Sequence, residues 1–162
     1  PPPPPPPADP AIAPMPPPAP ASAPATANTA LPANSGAGRR VVYEVSKQRV
    51  WLVEAGESVI GTWPVSGRRG EPNPGTYSVF SRSRWANAKI PGVRMEYMVR
   101  FAPTQGLDIG FHAIPVNRRG RPIQSEQQLG TFQSLGCVRQ SRPDAIRMWD
   151  FAQIGTPVVV LP

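Results

Sequence analysis

The first 38 residues consist mainly of proline and alanine, which restricts the part of the chain that can fold to the residues after them. This stretch holds a single charged residue, Asp9, and no aromatic residue. It therefore cannot bury enough apolar surface to offset the conformational entropy that ordering costs. Proline-rich segments instead favour the extended polyproline II conformation. We predict a disordered Pro/Ala-rich linker over residues 1–38, acting as a semi-rigid spacer, and one folded domain over residues 39–162.

Short runs of β-forming residues, separated by turn residues, recur along the predicted domain. Branched and aromatic residues are enriched in strands, whereas Gly, Pro and polar residues are typical of the turns between them. Such runs lie at residues 41–45, 49–54, 58–63, 76–80, 94–101, 107–112 and 156–161. The pattern predicts a mainly β domain built from hairpins.

One short helix is predicted near the C-terminus. Ser141 can cap its first turn, Pro143 suits that turn, and Asp144 suits the positive end of the helix dipole. Gly155 can end the helix. Apolar residues repeat at helical spacing at Ala145, Ile146, Met148, Trp149 and Ala152. We interpret this apolar face as core packing rather than as a binding site.

The predicted domain carries seventeen basic residues against nine acidic ones, a formal charge of +8. A basic surface attracts polyanions, so anionic polymers of a cell envelope are candidate partners. Nucleic acid is not expected, because the arginines are scattered and no known binding motif is present. One histidine and one cysteine are too few for a usual zinc site, and we expect neither a metal nor another cofactor.

Cys137 and His112 are the single cysteine and the single histidine of the chain. Together they are the minimum for thiolate catalysis, in which the imidazole takes the thiol proton and the thiolate attacks a carbonyl. Gly136 suits a turn that presents a nucleophile and aims backbone N–H groups at an oxyanion. A lone cysteine is more often a small buried apolar residue, and a lone histidine more often a surface or hydrogen-bonded core residue. The residue types alone leave both interpretations open.

Further motifs surround this pair in a definite order. They are the hairpin Val41–Val53, Trp63-Pro64-Val65-Ser66-Gly67, Pro74-Gly75-Thr76-Tyr77, His112, Ser134-Leu135-Gly136-Cys137-Val138-Arg139 and Gly155-Thr156-Pro157-Val158. In this order they resemble the catalytic domain of L,D-transpeptidases, also called the YkuD-type domain, over essentially all of residues 41–161. The resemblance implies a β-rich, sandwich-like fold.

The resemblance also implies a reaction. Cys137 would be the nucleophile and His112 the general base, held by a nearby backbone carbonyl such as that of Ala113. The thiolate would attack the diaminopimelate carbonyl of a peptidoglycan tetrapeptide stem and expel D-Ala, and the amine of a second stem would then form a 3→3 cross-link. Backbone N–H groups around Gly136 would stabilise the oxyanion, and no cofactor would be needed. Carbapenems and other β-lactams would acylate the same thiol.

Three residues beside the cysteine are open to more than one interpretation. Arg139 either binds a substrate carboxylate or braces the nucleophile segment against the backbone. Ser134 is either an orienting hydroxyl or a turn residue. Leu135 occupies a substrate-binding position where the family motif has a histidine, so the whole proton transfer depends on His112. We predict that residues 117–122 form a basic loop beside the site.

Four more side chains are candidates for a donor groove, although we interpret each as core packing: Trp85, Met95, Tyr97 and Trp149.

We also expect Cys137 to be alkylated faster at neutral pH than a free cysteine peptide.

Two other functions remain open. An L,D-carboxypeptidase would use the same chemistry with water as the acceptor. A non-catalytic peptidoglycan-binding module would bind the wall without reaction, and the presence of both His112 and Cys137 argues against it. An L,D-transpeptidase, the function that the resemblance favours, would be exported to the bacterial envelope or secreted, and would serve cell wall biogenesis and cell shape.

Overall fold

The computed structural model describes residues 29–162, and most of its regular structure is β. The strands are β1 Arg40–Glu44, β2 Arg49–Val53, β3 Val59–Pro64, β4 Gly75–Ser78, β5 Ser81–Asn87, β6 Arg94–Ala102, β7 Ile109–Ala113, β8 Val138–Gln140 and β9 Pro157–Leu161. An α-helix, α1, spans Arg142–Phe151, and a short 3-10 helix spans Glu126–Gln128. The strands form a five-stranded sheet in the order β3-β2-β1-β9-β4 and a four-stranded sheet in the order β5-β6-β7-β8. The predicted mainly β fold is confirmed.

All seven predicted strands are present, with ends shifted by one or two residues, but two strands were missed. β5 has the sequence Ser-Arg-Ser-Arg-Trp-Ala-Asn and lies at an edge of its sheet with no fully buried residue. β8 is only three residues long. Neither has the apolar periodicity that identifies a strand. Each is a strand because it pairs with its neighbour in the sheet, not because of its own sequence.

The helix begins as predicted and ends earlier than predicted. The Ser141 hydroxyl accepts a hydrogen bond from the Asp144 N–H at 3.2 Å, which caps the first turn. The last helical residue is Phe151, and Gly155 lies in the turn that follows, with φ of +89°. Met148 is fully buried in the core, which confirms the packing role of the apolar face. Within residues 29–162, no helix combines the length and the apolar character needed to cross a bilayer.

The core lies between the two sheets, and aromatic contacts join them. Tyr43 of β1 packs edge-to-face on Phe111 of β7, with ring centroids 6.2 Å apart. Phe101 of β6 stacks on the same Phe111 ring at 4.5 Å. All three side chains are buried. Each contributes a large apolar area, so this contact fixes how the sheets face one another.

The outer face of the five-stranded sheet is covered by residues 29–38. Leu31 packs against a buried cluster that includes Trp51 of β2. The Trp51 indole N–H donates to the Thr29 carbonyl at 2.9 Å. A buried tryptophan on an interior strand needs both an apolar cover and an acceptor for its N–H, and this segment supplies both.

A buried arginine ties the same segment to β1. The Arg40 Nε donates to the Ser35 carbonyl at 2.6 Å, and its Nη1 pairs with Glu57 at 2.9 Å. The packed part of the chain therefore begins by residue 29, ten residues before the predicted boundary. The rest of the predicted linker, residues 1–28, lies outside the described residues.

The parallel pairing of β7 and β8 positions the candidate site. Phe111 pairs with Val138, and His112 pairs with Arg139. Phe111 and Val138 are fully buried in the core between the sheets. Because side chains alternate along a strand, His112 and Arg139 lie together on the opposite face of this sheet.

We predict that residues 29–38 stabilise the domain. A chain that starts at Arg39 loses the cover on Trp51 and the Ser35 acceptor of Arg40, which together should lower the free energy of unfolding by about 3 kcal/mol. Urea unfolding followed by tryptophan fluorescence measures the difference. A chain that starts at Thr29 is the control, and equal stability of the two truncated chains would contradict the prediction.

Candidate active site

The predicted site residues converge on one cavity of about 710 Å³. Six of the seven line it: His112, Ser134, Leu135, Gly136, Cys137 and Arg139. Ala113, the seventh, lines a neighbouring cavity of about 750 Å³. Residues far apart in the sequence thus share one concave surface, which is the usual setting of a binding or catalytic site.

The segment that carries Cys137 is held from both sides. Arg139 lies in β8 opposite His112 of β7, and Cys137, directly before β8, lines the same cavity as both. On the other edge of β8, Ser66 exchanges two backbone hydrogen bonds with Arg139, at 2.8 and 2.9 Å. The Ser134 N–H donates to the Gly67 carbonyl at 3.1 Å. The Ser66-Gly67 element therefore braces the segment that carries the cysteine.

The imidazole of His112 has a defined tautomer. Its Nδ1 lies 2.7 Å from the Ala113 carbonyl oxygen, the acceptor that the family resemblance implied. A carbonyl only accepts hydrogen bonds, so Nδ1 carries the proton and Nε2 keeps a free electron pair. The side chain is 1% exposed, and burial lowers the pKa of His112 to about 4. The hydrogen bond to the Ala113 carbonyl acts in the opposite direction, whereas the charges of Arg139 and Arg100 lower the pKa further. The ring is therefore neutral at pH 7 and able to accept a proton.

The Cys137 thiol is half-buried and protonated at rest. Its Sγ donates to the Asp108 carbonyl at 3.5 Å. Burial raises the pKa of Cys137, while a backbone hydrogen bond from Gly110 and the charges of Arg100 and Arg139 act in the opposite direction. Since burial is the largest of these effects, the expectation of a thiol activated at neutral pH is not supported. The resting site therefore holds a neutral thiol and a neutral imidazole that line the same cavity.

One of the expected oxyanion donors already donates a hydrogen bond within the turn before Cys137. The Gly136 N–H donates to the Ser134 hydroxyl at 3.1 Å. Ser134 therefore orients the turn, and an oxyanion would have to displace its hydroxyl to reach the Gly136 N–H. Leu135 is 79% exposed, at the mouth of the cavity.

The Arg139 side chain, which lines the cavity, is held by a contact that the sequence did not indicate. Its Nη1 donates to the Gln124 side-chain oxygen at 3.1 Å, and the Gln124 amide donates to the Ser66 hydroxyl at 2.8 Å. Gln124 is 5% exposed. The arginine side chain is thus braced by an amide and not by backbone carbonyls, and within residues 29–162 no carboxylate lies within salt-bridge distance of it.

Sequence reasoning also missed the backbone of Asp108 and Gly110, which lies against the thiol. A backbone contact has no residue signature, and Gln124 belongs to no motif. Of the residues in these contacts, only Ser66 belongs to a sequence motif, Trp63-Pro64-Val65-Ser66-Gly67, and the sequence assigned it no role.

The four groove candidates have different positions. Met95 is buried and lines the cavity. Tyr97 and Trp149 pack edge-to-face at 5.8 Å and do not line the cavity. Trp85 is 46% exposed, so its interpretation as a core residue was wrong. It lies on edge strand β5, beneath the guanidinium groups of Arg84 and Arg94.

The basic loop at residues 117–122 lies beside the neighbouring cavity, which Gly120 and Pro122 line. The Asn117 side-chain oxygen accepts hydrogen bonds from the N–H groups of Arg119 and Arg121, which orders the turn. Within residues 29–162, no three His, Cys, Asp or Glu side chains are grouped to hold a metal ion.

Comparison with known proteins identifies the family. The model of the L,D-transpeptidase catalytic domain, YkuD, matches residues 38–160. An L,D-transpeptidase from Mycobacterium smegmatis matches with a TM-score of 0.62 and 20% identity, over 78% of this chain and 60% of that one. One from Mycobacterium tuberculosis H37Rv matches with a TM-score of 0.60 and 25% identity, over 78% and 59%.

A third similar structure is L,D-transpeptidase 3 from Mycobacterium tuberculosis in complex with a faropenem-derived adduct. Its TM-score is 0.59 and its identity 22%, over 78% of this chain and 61% of that one. The chain thus spans about three fifths of the length of these solved structures. None of the curated proteins matches the chain.

We predict an acid-dependent loss of stability that comes from His112. An unfolded histidine titrates near pH 6.5, whereas the folded pKa of His112 is about 4. Between these values the unfolded chain binds more protons, so stability falls as the pH falls. The free energy of unfolding should drop by about 3 kcal/mol more between pH 7 and pH 4 in the wild type than in His112→Gln. Chemical denaturation at each pH measures this, and parallel pH profiles would contradict it.

We predict slow alkylation of Cys137 at neutral pH. Because burial raises the pKa of the thiol, iodoacetamide should react at pH 7 more slowly with the folded protein than with a cysteine peptide. The midpoint of the rate–pH profile should lie above that of the peptide. The urea-unfolded protein is the control and should match the peptide. Faster reaction of the folded protein would restore the expectation of an activated thiol.

Proposed function

Because the chain belongs to the L,D-transpeptidase catalytic domain family, we propose that it is a peptidoglycan L,D-transpeptidase working through a thioester on Cys137. One observation carries the proposal. Cys137 and the neutral His112 line the same cavity, and the Ala113 carbonyl holds the Nδ1 proton of the imidazole, which leaves Nε2 to receive the thiol proton.

The first half of the reaction transfers an acyl group to the enzyme. As the Cys137 Sγ attacks the diaminopimelate carbonyl of a tetrapeptide stem, its proton passes to Nε2 of His112. The S–C bond forms, the C–N bond to the terminal D-Ala breaks, and the imidazolium returns the proton to the leaving amine. Since both groups are neutral at rest, charge develops only during attack, when Arg100 and Arg139 stabilise the thiolate.

The second half transfers the acyl group to an acceptor. The side-chain amine of a second stem attacks the thioester and gives its proton to His112. The C–S bond breaks, the thiol regains the proton, and a 3→3 cross-link remains. The thioester retains the energy of the original amide exchange, so no nucleotide is consumed.

The carbonyl oxygen of the stem needs hydrogen-bond donors when it becomes an oxyanion. We assign this role to the Cys137 N–H, joined by the Gly136 N–H once the Ser134 hydroxyl turns away. Arg139, held by Gln124, is available for a carboxylate of the stem.

The same cavity supports acylation by β-lactams. A similar M. tuberculosis enzyme carries a faropenem-derived adduct. A strained β-lactam amide presents the same kind of carbonyl as a stem, and ring opening leaves no departing fragment to return. We therefore propose that carbapenems acylate Cys137 and that the adduct persists.

Acylation by a carbapenem tests the proposal directly. The wild type should gain the mass of one intact carbapenem, and Cys137→Ala should gain nothing. His112→Gln removes the proton acceptor and should slow acylation by about a hundredfold or more. Intact-mass spectrometry at timed intervals measures all three.

Ile154→Ala is the matched control, because Ile154 is 61% exposed and lines neither cavity. It should be acylated at the wild-type rate. A folded wild type without any adduct would favour a non-catalytic peptidoglycan-binding module instead.

Muropeptide analysis then separates transpeptidase from carboxypeptidase. Incubation with a tetrapeptide donor and an amine-bearing acceptor stem should give a 3→3 dimer and free D-Ala. A tripeptide product with no dimer would assign water as the acceptor. Because the proposed substrate is the wall, we further propose export to the bacterial envelope, and detection of the protein in the cytoplasm alone would contradict this.

A further inference from the structure

Exposed aliphatic side chains converge on the mouth of the Cys137 cavity. Nine large apolar side chains are exposed in the part of the chain that the structure describes, and four of them line this cavity. The four are Ile90, Leu107, Ile123 and Leu135, and they are 38% to 79% exposed. Exposed apolar side chains scattered singly are normal, whereas a group around one opening marks a surface that a ligand covers.

The backbone of each of these residues is held by its own hydrogen bonds. In the turn between β5 and β6, the Val93 N–H donates to the Ile90 carbonyl at 3.1 Å. In the turn between β6 and β7, the Thr104 hydroxyl donates to the Leu107 carbonyl at 2.8 Å. These side chains are therefore presented by ordered turns.

The other two lie between β7 and β8. The Ile123 N–H donates to the Pro115 carbonyl at 3.0 Å. The Leu135 carbonyl accepts from Arg68 at 3.4 Å. The Leu135 side chain follows the Ser134 turn directly, so it stands two residues from the Cys137 thiol.

The charges of the cavity complement such an apolar rim. Arg68 and Glu71 pair with each other at 3.2 Å. Lys89 and Arg139 also line the cavity, and no carboxylate within residues 29–162 lies within salt-bridge distance of either. The surface therefore offers an aliphatic rim together with two cations that have no acidic partner, which suits a ligand with an aliphatic body and a carboxylate.

We propose that this rim, which includes Leu135, makes the enzyme selective for carboxylate-bearing acyl donors that carry an aliphatic group beside the reacting carbonyl. The proposal rests on the acyl transfer to Cys137 proposed above. Leu135 acts as a specificity residue, because it replaces the polar histidine of the family motif with an apolar surface at the point where the donor enters. A donor with a hydroxylated group in this place would bury that hydroxyl without a partner.

Paired probes test the proposal. Two β-lactams share one bicyclic core and its carboxylate, and they differ only in a substituent that is aliphatic in one and hydroxylated in the other. The wild type should be acylated by the aliphatic probe about tenfold faster, because the hydroxylated probe would bury a hydroxyl without a hydrogen-bond partner. In Leu135→His and in Leu107→Asn the ratio should fall toward one. Intact-mass spectrometry measures each rate.

The control variant is Ile154→Asn. Ile154 is an aliphatic residue whose exposure lies between those of Leu107 and Leu135, and it does not line the cavity, so this variant should keep the wild-type ratio of acylation rates. Equal wild-type rates for the two probes, or a ratio unchanged in Leu135→His, would overturn the selectivity while leaving acyl transfer intact.

Binding to Cys137→Ala, measured by calorimetry, separates selectivity from chemistry. This variant cannot form the thioester, yet it should bind the aliphatic probe about tenfold more tightly than the hydroxylated one. If the wild type forms no adduct but this difference in binding persists, the proposed reaction fails and the selective rim stands. If neither probe is preferred, the rim has no such role.

Discussion

The parallel pairing of β7 with β8 is the contact on which the site depends. It buries Phe111 and Val138 in the core and, by strand alternation, turns His112 to the outer face beside the segment that carries Cys137. β8 is short and lies at the edge of its sheet, so it needs a second partner. Ser66, which follows the last strand residue of β3 by two positions, supplies that partner and thereby joins the five-stranded sheet to the segment that carries Cys137.

This arrangement places two titratable groups where water is scarce. Burial lowers the pKa of His112 and raises that of Cys137, so each group is neutral at rest. A neutral pair avoids the cost of burying charge in the free enzyme. The charges of Arg100 and Arg139 favour the thiolate over the thiol, but the burial of the thiol outweighs them. The resting site therefore holds two neutral groups rather than an ion pair.

Much of the fold was predictable because it depends on local chemistry. Seven strands have runs of β-forming residues, and the helix has a serine cap at Ser141. What escaped prediction depends on neighbours. β5 and β8 are strands because β6 and β7 pair with them, and the helix ends at Phe151 although its apolar spacing continues. Residues 29–38 pack on the domain because Trp51 needs a cover, a need that no local pattern indicates.

The sequence alone determined which groups are available for chemistry. One cysteine, one histidine and the ordered motifs around them were enough to indicate the family and the residues to test. Tertiary structure decided the rest: the tautomer of His112, the protonation of the thiol, the engagement of the Gly136 N–H, and the bracing of Arg139 by Gln124. These properties arise from burial and from contacts between distant segments. Such contacts depend on how the sheets pack, and no short stretch of sequence contains them.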